Sequence, residues 1–230
     1  LAGPPLAVLA ALDGVADARR SGALGEDATI TDVASTKARI TARAAELGLP
    51  FVGGHPMAGK ELTGFGAADP DLFVDRPWVI VPVGIATHRH VVHATALTWA
   101  TGARPLELTA EAHDRAVAAI SHLPLVAAAA LVEAVTSSGD WAVARALAAS
   151  GWASATRLAK GDPEMGAGIL ATNATEVAAR LRRARDVLDA WIAELEVGSG
   201  GGAPAGPRPE ALRSRLAAAR DALATEPDAG

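Results

Sequence analysis

Apolar positions in the first hundred residues alternate between two textures. Residues 28–33, 51–54, 78–81 and 104–108 are short runs rich in apolar residues. Runs of that length fit strands buried within a sheet. Between them, apolar residues recur at three- and four-residue spacing over residues 6–20, 36–47 and 89–101, with Leu6, Leu9 and Ala10 on one side of the first. That spacing predicts helices. Pro5 suits the first turn of the first helix, and Gly48 closes the second. Strand and helix in alternation predict a parallel α/β sheet over residues 1–108.

The pattern changes at Thr109. Helical spacing runs from there to about residue 135, with Pro124 expected to kink it. Residues 140–149 form a second helix. A third spans 163–197, where Leu170, Val177, Leu181, Leu188, Trp191 and Leu195 make one apolar stripe. Residues 109–197 therefore read as all helix, a bundle or a dimer core. Residues 198–209 are rich in Gly and Pro and read as a flexible linker. Residues 210–224 form a short amphipathic helix with arginines on its polar side, and the tail to residue 230 frays.

Composition narrows the classes. The chain has 230 residues, half of them apolar, which supplies a sizeable core. A net charge of −5 argues against a general nucleic-acid binder. The absence of cysteine excludes disulfides and thiolate metal sites and is compatible with a reducing compartment. The most apolar run, residues 125–132, falls short of a membrane span, and no secretory pattern opens the chain. His88, His90 and His93 have the look of metal ligands, but no acidic partner is near and they read as an exposed helix start.

Candidate chemistry centres on residues 51–66, where an apolar strand runs into a glycine-rich loop at His55. Gly53, Gly54 and Gly59 suggest tight turning and close approach of a ligand, and Pro56 fixes the turn. Such a loop is how α/β sheets present a reactive group at their carboxyl edge. Residues 54–60 almost spell a phosphate-binding loop, but Glu61 stands where magnesium chemistry needs Ser or Thr. The glycines at 198–202 fit a dinucleotide pattern by letter only, since no strand precedes them.

Three further stretches accompany Gly53-Gly54-His55-Pro56-Met57-Ala58-Gly59-Lys60-Glu61. They are Thr31-Asp32-Val33-Ala34-Ser35-Thr36-Lys37, then His113-Asp114-Arg115 with Ser121-His122-Leu123-Pro124, then Thr156-Arg157-Leu158-Ala159 with Asp162-Pro163-Glu164-Met165. In this order and spacing the chain resembles the prephenate dehydrogenases, with the related arogenate and cyclohexadienyl dehydrogenases, over roughly residues 1–191. The resemblance implies a Rossmann-type dinucleotide-binding domain at 1–108 and a helical dimerisation and substrate domain at 109–197. It implies oxidation of prephenate, or of arogenate, by NAD or NADP with loss of carbon dioxide, a step of tyrosine biosynthesis. It also implies a cytoplasmic homodimer open to feedback by tyrosine.

Residue by residue, the resemblance makes His55 the catalytic histidine. The ring hydroxyl loses a proton as its carbon gives up hydride, and an imidazole is suited to accept it. Ser35 matches a serine near that hydroxyl and the nicotinamide, and equally suits a helix N-cap. Arg157 matches an arginine that clamps a substrate carboxylate. Glu61 matches an acid at the site mouth, with Lys60 beside it; a solvated loop carboxylate is the alternative for Glu61. Ser121 and His122 match the helical wall of the pocket or a capping and core role. His113 and Asp114 suit a structural role at a helix start as well as a catalytic one.

Leu125, Ala153, Ser154 and Lys60 depart from the family pattern, which bears on side-chain preference. Leu1-Ala2-Gly3-Pro4-Pro5 resembles a turn that follows the family's Gly-x-Gly-x-x-Gly fingerprint, so Gly3 and Pro4 are expected at the cofactor and the first βαβ portion is expected upstream. A non-catalytic dimerising or amino-acid-sensing remnant is the alternative from a different class.

Overall fold

A computed structural model describes residues 1–59, 64–196 and 209–224. Lys60 and Glu61, and the linker predicted at 198–209 apart from Pro209, lie outside the described residues. The chain divides into two compact units, Leu1–Ala178 and Ala179–Gly230.

The first unit opens with α1 (Pro5–Arg20), β1 (Ile30–Thr31), α2 (Ala38–Glu46), β2 (Phe51–Pro56), β3 (Pro77–Pro82), α3 (His88–Ala100) and β4 (Arg104–Glu107). The four strands pair in the order β1-β2-β3-β4. β1/β2 and β3/β4 are parallel, but β2 and β3 are antiparallel, with His55 opposite Val79. The sheet is therefore mixed, where the alternation of elements predicted a parallel one. A parallel pair needs a crossover back along the sheet, usually a helix. Helices α2 and α3 supply it for the two parallel pairs; no described α-helix lies between β2 and β3, and the chain reverses.

Side chains on successive strand positions serve opposite faces. Phe51 joins Val8, Leu12, Ile30 and Ile40 beneath α1 and α2, whereas Val52 joins Trp78, Ile80 and Ala94 beneath α3. Val79 and Val81 pack with Ala110 at the start of the helical half. Each fully buried side chain of this size contributes about 1.5–3 kcal/mol of transfer free energy.

The helical half begins with α4 (Ala110–Val117), capped by Thr109, whose hydroxyl accepts from Ala112 N at 3.1 Å. A π-helical turn (Ala118–His122) leads into α5 (Leu123–Thr136). The sequence predicted a kink at Pro124; the structure has a π-helical turn immediately before that proline, which stands in the first turn of α5. Residues 110–136 thus form a helical run of 27 residues that is long and apolar enough, by length and composition, to cross a membrane. That corrects the expectation that nothing reaches this length.

Two short helices follow, α6 (Trp141–Leu147) and α7 (Ser150–Ala155), then a 3-10 turn (Arg157–Lys160). The predicted helix at 163–197 is in fact two, α8 (Pro163–Thr172) and α9, which starts at Ala174 and ends at Glu196. Asp162 caps α8 through bonds from Glu164 N and Met165 N at 2.8 and 2.9 Å. The break falls at Asn173, whose side chain is drawn into the α4 region described below. α8 packs against α1, with Gly168 close to Pro5 and Leu6.

In the second unit, α10 (Pro209–Ala224) meets the later turns of α9. The Arg215 guanidinium sits 4.1 Å from the Trp191 ring centroid and donates to Val187 O at 3.1 Å. That arginine is a packing group rather than part of a solvated face.

Candidate active site

Asp32 ends β1. Its carboxylate turns back on the chain, with Oδ2 accepting from Ala34 N at 3.1 Å, so the strand stops at Thr31 rather than reaching residue 33. Lys37 closes the same turn. Its Nζ, fully buried, donates to Asp32 Oδ2 at 2.5 Å and to Gly54 O at 2.7 Å, while Gly54 N donates to Asp32 Oδ1 at 2.9 Å. Burial pushes the Lys37 ammonium down from its ordinary value; the charge and hydrogen bond of Asp32 oppose the shift.

This pair locks the turn at 32–37 to β2. It also explains the glycines. A Cβ on Gly54 would lie 2.4 Å from Asp32 O and 2.9 Å from Trp78 Nε1; one on Gly53 would lie 3.1 Å from the Lys37 stem. Both glycines sit inside β2 and admit the protein's own backbone and Lys37, where the sequence reading gave the space to a ligand.

His55 is the fifth residue of the six in β2 and half-buried. Its Nδ1 lies 2.7 Å from Nε2 of His113, the two rings meeting edge to face at 75° with centroids 5.0 Å apart. His113 Nδ1 lies 2.8 Å from Asp114 Oδ1. Asp114 also accepts from Lys37 N at 2.8 Å and Ala38 N at 2.9 Å, so it caps α2 from across the structure. The N-cap position of α2 is Lys37, and Ser35 is not the cap. Ser35 is half-buried in the turn between buried Ala34 and Thr36.

A second row supports the first. Asn173 Nδ2 donates to Asp114 O at 2.8 Å and lies 3.2 Å from His122 Nδ1. Thr36 and Thr172 hydroxyls meet at 2.8 Å. The π turn puts His122 in the interior at 1% exposure and leaves Ser121 outside, so these two neighbours do not share a face. Burial pushes His122 down to about 4, which Asp114 opposes and His113 reinforces. Burial is also the main reason that His55 is held well below its ordinary value; His113, Lys37 and His122 add to it. Both imidazoles are neutral at pH 7.

Arg157 opens the 3-10 turn on its exposed side, next to buried Thr156. Pro4 stands at the N-cap of α1, its carbonyl accepting from Val8 N at 3.0 Å, with Gly3 half-buried beside it. Outside this centre, His90 is no exposed ligand: its Nδ1 accepts from Thr87 N at 3.0 Å and caps α3. Among the described residues no cluster suits a metal ion. A cleft of about 290 Å³ is lined by Arg39, Glu111, Asp114, Asn173 and Glu176, among others.

The sequence reading missed Lys37 and Asp32 as a buried pair, and it missed Asn173. The spacing of Asp32 and Lys37 across a short turn was visible, but burial was not.

The sequence matches the prephenate dehydrogenase nucleotide-binding domain over residues 4–106 and the prephenate dehydrogenase dimerization domain over residues 109–199. The chain belongs to the prephenate dehydrogenase family. The prephenate dehydrogenase of Bacillus subtilis is 34% identical over 172 residues, covering 73% of this chain and 44% of the relative. The cyclohexadienyl dehydrogenase of Zymomonas mobilis is 30% identical over 190 residues, covering 80% and 61%. Among solved structures, the Synechocystis arogenate dehydrogenase aligns with TM-score 0.76 at 30% identity, covering 97% of this chain and 77% of that one. The A. aeolicus prephenate dehydrogenase, solved with hydroxyphenyl propionate and NAD+, shares the fold with TM-score 0.80 at 24% identity, covering 98% and 75%. The chain spans about half the length of the curated relatives it matches.

Proposed function

We propose that this chain carries the catalytic histidine and substrate wall of an NAD- or NADP-dependent dehydrogenase that oxidises prephenate, or arogenate, with loss of carbon dioxide. The observation that supports it most directly is the His55–His113–Asp114 array at the carboxyl ends of β1 and β2. Its first member is a neutral, half-buried imidazole, which suits a base that takes the proton of a ring hydroxyl. When bound, the nicotinamide supplies the hydride acceptor. Half-buried Ser35 and the pre-formed turn around it suit the nicotinamide end of such a site, and Gly3 and Pro4 the edge beside it. We assign Arg157 to a carboxylate of the substrate, and Glu61, Lys60, Ser121 and His122 to the pocket and its mouth.

The family's dimerization domain and the largely uncovered apolar run at 110–136 support a homodimer. We place the enzyme in the cytoplasm, with tyrosine, the end product of this step or of the one after it, as an inhibitor that slows turnover when added.

The test uses a chain extended to the length of its relatives, assayed for NADH or NADPH formation with prephenate and with arogenate. His55→Asn keeps a hydrogen bond but takes no proton. Substrate should still bind while turnover drops by on the order of 100-fold or more. The rate should fall as pH drops through the His55 titration, below about 6.5, because burial lowers that value. A profile that survives the substitution would assign the base elsewhere.

A further inference from the structure

We propose that Asp114 and His113 are positioning residues that set the tautomer of His55, leaving its Nε2 lone pair free for the reacting proton, and that His113 takes up the resulting charge. This rests on the reading of His55 as the base.

A carboxylate only accepts hydrogen bonds. Asp114 Oδ1 takes Lys37 N–H, its Oδ2 takes Ala38 N–H, and the nitrogen 2.8 Å from Oδ1 is His113 Nδ1. His113 Nδ1 therefore carries a hydrogen. In the neutral ring His113 Nε2 is then an acceptor. The atom 2.7 Å from it is His55 Nδ1, which must donate. Neutral His55 is left with its lone pair on Nε2, the nitrogen turned away from His113. Free imidazole in water has no such fixed choice; the carboxylate two residues removed makes it.

The same wires carry charge. As the ring carbon's C–H bond leaves as hydride, for which the bound nicotinamide would be the acceptor, the substrate O–H breaks: its proton bonds to His55 Nε2 and its electron pair forms the second bond of the carbonyl. The Nδ1 proton of His55 can pass to His113 Nε2. His55 is again neutral, and the positive charge sits on a His113 imidazolium beside the Asp114 carboxylate. The surroundings favour this. Lys37 and Asp32 face β2 as a mutually neutralised pair, and His122 approaches from the π turn with its Nδ1 held by Asn173. α3, which also packs on β2, keeps its buried imidazole, His90, on Thr87. Asp114, in contact with His113 Nδ1, is a carboxylate outside that neutralised pair. His55 itself is a poor place for lasting charge, and His113 with its carboxylate is a better one.

The first measurement reads the unaltered chain and uses a variant only for assignment. In histidine-15N-labelled chain, long-range 1H–15N spectra at pH 7.5 read which ring nitrogen bears the hydrogen, and loss of one signal set in His55→Asn assigns it. His55 and His113 should both be Nδ1–H. His55 found as Nε2–H overturns the proposal. In His113→Phe, which keeps a ring in place and leaves Asp114 bonded to α2, His55 should revert to mainly Nε2–H; an unchanged tautomer overturns the assignment to His113. In the extended enzyme the same substitution should lower kcat at least tenfold, change KM less than threefold and move the low-pH limb of kcat. An unchanged limb overturns the charge uptake. The spectra involve neither substrate nor cofactor. Nδ1–H in His55 without turnover therefore sinks the functional reading, whereas turnover with Nε2–H sinks the relay.

Discussion

At the residue scale, the site is a set of ionisable groups that burial has tuned, and stability should show it. His55 and His122 are both lowered when folded, His122 to about 4, while an unfolded histidine titrates near 6.5. Between those values the unfolded chain binds more protons. Stability is therefore full above about pH 6.5 and is lost as pH falls from there towards 4. Urea midpoints measured from pH 7.5 down to 5 should fall steadily, and His122→Leu should make the fall shallower. An identical slope in that variant would mean that His122 is not one of the groups responsible. Arg157 belongs to the same scale but to another kind of energy. If it clamps a carboxylate, Arg157→Ala in an extended chain should raise KM by about tenfold or more, each 1.4 kcal/mol being a factor of ten, and lower kcat much less, because that contact is made in ground and transition states alike. An unmoved KM would return Arg157 to the solvated surface on which its side chain lies.

At the element scale, what matters is how one short turn is fastened to one strand. Asp32 and Lys37 bond to each other and to both backbone groups of Gly54, and Asp114 caps the helix that Lys37 begins. Gly54→Ala places a methyl 2.4 Å from Asp32 O, a contact that a backbone must move to relieve. Overpacking of this kind costs about 1–3 kcal/mol, and here it should also loosen His55, the next residue. Thermal unfolding of the variant should show the loss; a midpoint equal to the parent's would mean that β1 and β2 have slack the structure does not show. These fastenings also mark where sequence reading stopped. The strands and helices of the first half were legible because their apolar periods are distinct, and the opening of the helical half at Thr109 because the pattern changes there. The break at Asn173 was not, since the apolar stripe continues through it and the reason for stopping is a side chain reaching Asp114 and His122, over fifty residues away. The glycines of β2 looked like room for a ligand because a sequence does not say which backbone comes close.

At the scale of the whole molecule, the order of elements was readable and the sheet's direction was not. Parallel pairing was inferred from alternation, but β2 and β3 are joined without a described crossover helix, so their pairing is antiparallel. What the fold then leaves uncovered argues for a second copy. Only 22% of the most apolar window of the run at 110–136 is buried, and Ile120, Val143 and Leu147 are 69%, 65% and 78% exposed. Exposed apolar side chains in this number suit an interaction surface on a folded protein, and the dimerization-domain match covers the residues concerned. Sedimentation at micromolar concentration should therefore give about twice the chain mass of 23.2 kDa. Ile120→Asp is the sharper probe. A side chain that exposed contributes little to folding the single chain, so at dilutions where both chains are monomeric the variant should keep its unfolding free energy to within about 0.5 kcal/mol, while its dimer dissociates at lower dilution. A parent chain that sediments as a monomer would leave the apolar face without the partner assigned to it.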